Sequence, residues 1–194
     1  MSEDDGRIPV TLVKRTLAHS NQVWNVWLDH VRGENGVEVL DYVVVAPKVS
    51  RPDLIAGVAI LPVMDGRLGL VRSYRHPVAR WLWEVPRGFV DPAEAPSDAA
   101  RRELIEEVGL ACAPHDLLAM GQLLQEGSTL AGLSALYVAT DCRPQARPDV
   151  PELGLGGIFW FSPDEIGSML GKGEILDAAT VTVLYRYLSR SKHL

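Results

Sequence analysis

The chain has 194 residues, of which 47% are hydrophobic and 23% charged, and its formal net charge is −6 at pH 7. This composition is typical of a globular protein with a core of ordinary size, and it excludes a largely disordered chain. The acidic balance argues against nucleic acid as the main partner, because a protein that binds a polyanion normally carries a basic surface. No apolar run reaches the length of a membrane span, so we expect a cytoplasmic protein with no membrane partner.

The first part of the chain predicts a three-stranded antiparallel sheet. After an acidic tail of seven residues, three runs rich in β-forming residues follow: VTLVKRTLA, VWNVWLDHV and VEVLDYVVVA. Asn35-Gly36 separates the second run from the third and favours a hairpin. Three strands with exposed aromatic side chains are marginally stable alone, so we expect this sheet to pack on the rest of its own chain or on a partner subunit. Residues 48–53 are interpreted as a linker.

The second part predicts a mixture of strands and helices. LIAGVAILPVMDGRLGLVRSYR indicates two strands around a turn at Asp65-Gly66, and HPVARWLWEVPRGFV has alternating apolar residues that lead to Gly88. LLAMGQLL, LSALYVAT and GIFWFS are interpreted as further strands. A short helix is predicted to start at Pro163, and EILDAATVTVLYRYLSR has the spacing of a final amphipathic helix. Cys112 and Cys142 lack the spacing of a disulfide framework and are expected to be reduced packing residues.

Between these strands, the composition of Pro96–Val108 favours a helix of about three turns. We expect Ser97 or Asp98 to cap its N-terminus and Gly109 to end it. At about 100° per residue, three aliphatic side chains fall on one arc of this helix and three carboxylates fall on the opposite arc. The aliphatic residues are Leu104, Ile105 and Val108, and the carboxylates are Glu103, Glu106 and Glu107.

The three carboxylates suggest a site for a hard divalent cation. Like charges three and four residues apart destabilise a bare helix, and Mg²⁺ would remove that cost because it takes carboxylate oxygens together with waters and phosphates. Arg102 lies four residues before Glu106 and can hold a carboxylate in one rotamer. Gly88 can offer a backbone carbonyl where the preceding strand ends. Adjacent glutamates alone more often form a solvated helix face. The choice between a metal site and a solvated face therefore depends on the surrounding sequence pattern.

That pattern runs from Gly88 through Glu94 to Arg102-Glu103-Leu104, and continues to Glu106-Glu107 and Gly109-Leu110. It resembles the Nudix box, G-x5-E-x7-R-E-U-x-E-E-x-G-U with U aliphatic, at every fixed position. The resemblance implies a Nudix hydrolase with an α/β/α sandwich around a mixed sheet, acting on a diphosphate linked to another group. It also implies that Glu103, Glu106 and Glu107 bind the metal, joined by a backbone carbonyl of Arg87 or Gly88, while Arg102 and Glu94 orient the site. The expected metal is Mg²⁺, with Mn²⁺ as the alternative.

The stretch from Val58 to Leu110 is similar to the ADP-ribose and nucleoside-diphosphate-sugar pyrophosphatase branch of this family. In that branch an N-terminal sheet is exchanged across a homodimer, which implies a first domain at residues 1–50 and a Nudix domain at residues 51–194. The same resemblance implies that Arg75 binds substrate. Arg87 and Arg80 lie nearer the box and are further candidates for phosphate contacts. The resemblance also places Trp24 and Tyr42 where a nucleobase would stack, with Trp27 as a competitor.

Two interpretations stay open for the base that accepts a proton from water. Glu107 lies within the box, and Glu152 is the glutamate of the loop that precedes GIFWFS, where the branch carries its base. His76, beside a proline, is interpreted as structural.

The sequence departs from the ADP-ribose pattern after the box. Gln125 and Glu126 stand where a proline is usual in that group, and the downstream stretch STLAGLS has no carboxylate. We therefore expect hydrolysis of a nucleoside diphosphate linked to a sugar, giving a nucleoside monophosphate and a sugar phosphate. The alternatives are a Nudix hydrolase of dinucleoside polyphosphates or nucleoside triphosphates, a sensor that binds ADP-ribose without cleaving it, and a dimeric scaffold.

Overall fold

The computed structural model describes residues 8–48, 51–147 and 153–191. The chain divides into two compact units. The first holds the residues up to Leu54 together with Glu126–Gly132, and the second holds Ile55–Gln125 and the residues from Leu133 onward. Within the described ranges, none of the helices is both long and apolar enough to cross a membrane.

The first unit is the expected three-stranded antiparallel sheet, with β1 at Val10–Ser20, β2 at Trp24–Gly33 and β3 at Glu38–Pro47 in the order β1-β2-β3. The predicted hairpin is present, and Gly36 has a φ of +79°, a conformation that glycine adopts without strain. All eleven residues of β1 are exposed in the described part of the chain.

Residues 126–132 extend the first unit along β3. The backbone N–H of Val45 donates to the Thr129 carbonyl at 2.8 Å, and the N–H of Ala131 donates to the Val45 carbonyl at 2.9 Å. The segment predicted as a turn between two strands is therefore held by backbone hydrogen bonds to a strand far away in sequence.

The second unit is built on a seven-stranded mixed sheet. Five strands have the order β12-β5-β4-β10-β9, β6 pairs with β5, and β7 pairs with β4. Only the pair of β10 with β4 is parallel. The strands are β4 (Ile55–Met64), β5 (Arg67–Arg75), β6 (Arg80–Glu84), β7 (Arg87–Phe89), β9 (Leu117–Leu123), β10 (Leu133–Ala139) and β12 (Leu155–Phe161).

Three helices, α1 (Pro96–Val108), α2 (Pro163–Gly171) and α3 (Ala178–Ser191), cover the two faces of this sheet. Ala59 and Leu61 of β4 belong to a core cluster that also contains residues of α2 and α3. Val58 and Ile60 alternate with them and belong to a second cluster that contains residues of α1. The predicted α/β/α arrangement with a mixed sheet and an additional three-stranded sheet is confirmed.

Two local predictions were wrong or incomplete. Helix α3 begins at Ala178 rather than at Glu174, because the Asp177 side chain accepts a hydrogen bond from the Thr180 backbone N–H at 2.8 Å and so caps the helix. A two-stranded sheet of β8 (Leu110–Ala111) and β11 (Arg143–Pro144) was not expected, since segments of two residues carry no periodicity.

Candidate active site

The site is built around Gly88 on the short strand β7. The Gly88 residue pairs with Val58 of β4, and a Cβ added at neighbouring Gly57 would lie 2.9 Å from the Gly88 carbonyl oxygen. A Cβ added at Gly88 itself would lie 1.9 Å from the carboxyl carbon of Glu103. The missing side chain of Gly88 is therefore the space in which a carboxylate of α1 lies against the strand.

Helix α1 begins at Pro96, ahead of both expected caps. Ala95 is the N-cap and makes no side-chain cap, so the prediction of Ser97 or Asp98 was wrong. Pro96 occupies the first helical turn, where its missing N–H costs nothing, and this places both polar residues inside the helix. Gly109 ends the helix in the left-handed region with a φ of 65°, as expected.

The three glutamates of α1 lie in different environments. Glu107 is buried, and its Oε2 accepts a hydrogen bond from the backbone N–H of Arg87 at 3.0 Å. The Glu103 side chain is 12% exposed, whereas that of Glu106 is 46% exposed. The carboxylate arc therefore packs partly against β7 instead of forming a solvated helix face.

Arg102 connects three of the acidic residues of the box. Its guanidinium donates to Glu103 at 2.7 Å, to Glu106 at 2.9 Å, and to both oxygens of Glu94 at 2.9 and 3.0 Å. It also donates to the Phe89 carbonyl at 2.9 Å. The hydrogen bonds from Arg102 hold the pKa of Glu94 below its usual range, and those carboxylates raise the pKa of Arg102. Arg102 thus contacts Glu94, Glu103 and Glu106 together, and the orienting role of Arg102 and Glu94 stays a prediction.

The donor set of this site fits a hard divalent cation. Glu103 and Glu107 lie against the strand that carries the Gly88 carbonyl, and Arg102 joins Glu106 to Glu103. Any side chain at Gly88 would block the place that Glu103 occupies. Among the described residues, no group of three or more Asp, Glu, His or Cys side chains is already arranged to hold a metal. The residues that would hold the ion are Glu103, Glu106 and Glu107 with a carbonyl of Arg87 or Gly88.

Two arginines expected to contact substrate are paired with acids that the sequence analysis did not identify, the buried Glu84 and the partly buried Asp177. Arg75 Nε lies 3.0 Å from both oxygens of Glu84, and its Nη2 makes a further short contact with Glu84. Glu84 is only 1% exposed. Arg87 Nη2 lies 2.5 Å from Asp177 and 3.4 Å from Glu84. Neither carboxylate lies in line with the N–H bonds of Arg87. By hydrogen-bond geometry, Arg87 Nε and Nη2 therefore have no acceptor in the described part of the chain.

The sequence contains a feature that indicates each of these two acids. Glu84 is the one charged residue within the apolar run WLWEVP, and a charge on a buried strand requires a partner. Asp177 precedes Thr180 in the spacing of a helix N-cap.

The remaining candidate residues are more scattered. Arg80 is exposed and lies opposite Arg75 in the ladder of β5 and β6, and His76 is exposed in a short 3-10 turn. In the first unit, Trp24 pairs with Pro47 while Tyr42 pairs with Asp29. These two aromatic residues are therefore about 17 Å apart along the sheet, and one chain does not bring them together around a single base.

Three further predictions concern Trp27, Glu152 and the cysteines. The Arg15 guanidinium lies 5.5 Å from the ring centre of Trp27. Glu152 lies outside the described residues. Cys112 and Cys142 are both buried and free, as expected.

Comparison with known proteins places these observations in a family. The chain matches the family model of the NUDIX domain over residues 53–182. It is 31% identical over 181 residues to an ADP-ribose pyrophosphatase of Mycobacterium tuberculosis, covering 88% of this chain and 79% of that protein. It is 33% identical over 103 residues to the ADP compounds hydrolase NudE of Escherichia coli, covering 53% of this chain and 54% of that protein. The crystal structure of an ADP compounds hydrolase has the same fold, with a TM-score of 0.78, 24% identity and 96% of both chains covered.

Nudix hydrolases generally use divalent metal cations, in agreement with the donor set on α1. The intact box, the α/β/α fold and the match over most of the chain lead to one conclusion. This chain belongs to the NUDIX domain family and is a Nudix hydrolase of the ADP-ribose pyrophosphatase and ADP compounds hydrolase branch.

Proposed function

We propose that this enzyme is a Mg²⁺-dependent hydrolase that cleaves the pyrophosphate of a nucleoside diphosphate sugar, ADP-ribose or a related compound. The products are a nucleoside monophosphate and a sugar phosphate. The observation that carries the proposal is the carboxylate arc of α1 packed against Gly88, with Arg87 on the same strand. The names of the two relatives, an ADP-ribose pyrophosphatase and an ADP compounds hydrolase, support the substrate class.

Glu103, Glu106 and Glu107 are the proposed holders of the metal. When bound, Mg²⁺ neutralises charge on the phosphates and lowers the pKa of a coordinated water. The residues of the chain contribute orientation. Glu107 is fixed by the Arg87 N–H, and Arg102 holds Glu103 and Glu106 by hydrogen bonds in positions where they would be available to a metal.

Arg87 and Arg75 are the proposed phosphate contacts. The Nε–H and Nη2–H groups of Arg87 are buried without a directed hydrogen bond, and a buried donor gains most from an anionic acceptor such as phosphate. Arg75 is held by Glu84 on one side, yet 42% of its side chain is exposed, so part of the guanidinium stays accessible to substrate.

The base that takes the proton from water has two candidates. Glu107 is buried and already accepts one hydrogen bond through Oε2, which suits a ligand held in one orientation. We therefore retain Glu152 as the proposed base and Glu107 as the alternative. Replacing each by glutamine distinguishes them, because loss of a base flattens the rising limb of the pH–rate profile.

We also propose that the enzyme is a homodimer in which the three-stranded sheet covers a second copy. The sheet exposes large apolar side chains on its edge strands, among them Leu12 at 50% and Leu40 at 70%. Apolar groups exposed in such number mark an interaction surface. In a dimer, Trp24 and Tyr42 would reach a nucleobase from different chains. Sedimentation equilibrium tests the dimer, and a monomer at micromolar concentration would contradict it.

Turnover against a panel of nucleotides tests the reaction. The panel holds ADP-ribose, ADP-glucose, GDP-mannose, UDP-glucose, diadenosine polyphosphates and deoxynucleoside triphosphates, each with and without Mg²⁺, and a phosphatase acting on the products reports cleavage. We expect Mg²⁺-dependent cleavage of a sugar nucleotide. Preferential cleavage of the polyphosphates or triphosphates would show that the proposed substrate class is wrong. No cleavage of any compound would contradict the proposed hydrolysis of sugar nucleotides.

A further inference from the structure

A continuous series of contacts runs from the start of α3 to the carboxylate arc of α1. The carboxylate of Asp177 lies 2.5 Å from the Arg87 guanidinium. The backbone N–H of the same arginine donates to Glu107 at 3.0 Å. A residue about seventy positions after the box is thus two contacts away from one of its glutamates.

The position of Asp177 is fixed by the helix that it caps. Its Oδ2 accepts hydrogen bonds from the Thr180 N–H at 2.8 Å and from the Thr180 hydroxyl at 2.7 Å. The same hydroxyl accepts a hydrogen bond from the Val85 N–H at 3.0 Å. Helix α3 therefore holds the segment that leads into β7 at two points, the backbone of Val85 and the side chain of Arg87.

Charge explains why an aspartate occupies this place. The Arg87 side chain is mostly buried and its other acidic neighbour, Glu84, is engaged by Arg75 at shorter distances. Asp177 Oδ2 lies 2.5 Å from Arg87 Nη2, whereas Glu84 Oε2 lies 3.4 Å from it, so Asp177 is the nearer of the two acidic partners of Arg87.

We propose that Asp177 is a positioning residue of the hydrolase, which fixes the Arg87 guanidinium and, through it, the backbone N–H that orients Glu107. Because this role belongs to the reaction proposed above, the inference rests on the proposed function. Residues that hold a ligand-bearing group from outside the site typically change metal affinity or activity about 10–100-fold when they are altered. In this role Asp177 acts on the site only through Arg87.

The simpler explanation is that Asp177 only caps α3, and the variant Asp177→Asn separates the two roles. Asparagine caps a helix as well as aspartate does but carries no charge for Arg87. We expect kcat/KM of Asp177→Asn to fall about 10–100-fold, and the affinity of the nucleotide-free protein for Mn²⁺, measured by calorimetry, to weaken within the same range. Asp164→Asn is the matched control, since Asp164 lies exposed in the first turn of α2 and should leave both quantities unchanged.

A double variant tests whether the effect passes through Arg87. Arg87→Ala removes the guanidinium, so adding Asp177→Asn to it should cause no further loss of kcat/KM. An equally large further loss would show that Asp177 acts by another route and would overturn the assignment.

Two other outcomes would also test the positioning role of Asp177. Wild-type kcat/KM and Mn²⁺ affinity in Asp177→Asn would reduce Asp177 to a helix cap. If that variant does not fold, Asp177→Ser provides a second neutral cap with the same expected losses and the same overturning result. Failure of the proposed function is recognised separately, because the wild-type enzyme would then cleave no sugar nucleotide while the Mn²⁺ titrations would still report on Asp177.

Discussion

The variant Gly88→Ala should lower turnover strongly while it lowers the stability of the protein only slightly. The added Cβ would lie 1.9 Å from the carboxyl carbon of Glu103 and 2.0 and 2.2 Å from its two oxygens. Ordinary van der Waals contact begins at 3.4 Å. The carboxylate therefore has to move by about 1.5 Å, and it can do so because it is the end of a flexible side chain.

The size of that displacement sets the expected effects. A misplacement of about 1 Å in a catalytic group can lower turnover about 100-fold, so we expect kcat to fall by at least that factor. The structural cost is the partly exposed contact of Glu103 with Arg102, which is worth about 1 kcal/mol or less. For a protein of this size, such a loss lowers Tm by about 2–4 °C.

The assay is turnover of the best sugar nucleotide with saturating Mg²⁺, together with Tm from calorimetry. Gly167→Ala is the control, because its added Cβ would meet no described atom within 4 Å apart from its chain neighbours and the backbone of its own helix, and alanine favours the interior of α2. It should keep full activity and a Tm equal to or above that of the wild type. Unchanged turnover in Gly88→Ala would refute the reasoning, because it would show that turnover does not depend on the position of the Glu103 carboxylate against Gly88.

Three further outcomes are expected. Glu107→Gln should lose at least about 100-fold in turnover while nucleotide binding persists, because the amide keeps the acceptor for the Arg87 N–H but carries no charge for a metal; unaffected turnover would mean that the metal assignment is wrong. Glu94 has a lowered pKa, so its stabilising contribution is fully present above the ordinary glutamate value near 4.3 and is lost as pH falls through the lowered folded value. In urea unfolding, the free-energy difference between wild type and Glu94→Gln should therefore shrink on acidification below about pH 4, and a difference that grows instead would reverse the sign of the argument. Thr180→Val should cost about 1–3 kcal/mol of unfolding free energy, because it leaves the Val85 N–H without its buried acceptor; a loss under about 0.5 kcal/mol would show that this N–H finds another partner.

Local features of the sequence determined most of the secondary structure. The turn at Asp65-Gly66 is recognisable because both residues tolerate positive φ, and they have φ values of 51° and 72°. Gly109 ends α1 for the same reason, and the spacing of the aliphatic and acidic residues of α1 follows directly from the helical period. Each of these features depends on residues within a few positions of one another, so periodicity and turn chemistry are sufficient to find them.

Only the tertiary structure decided which charges meet. Glu84 and Asp177 are 93 positions apart in sequence, yet both lie against Arg87, because the order of the strands and the packing of α3 place them there. Helix periodicity predicted that Glu107 lies on an acidic arc. Its burial results from the contact of β7 with that arc, and no local sequence pattern predicts this contact. The sequence determined by itself that this protein carries the chemistry of a Nudix hydrolase, whereas long-range packing decided how the carboxylates and arginines proposed for its site are held.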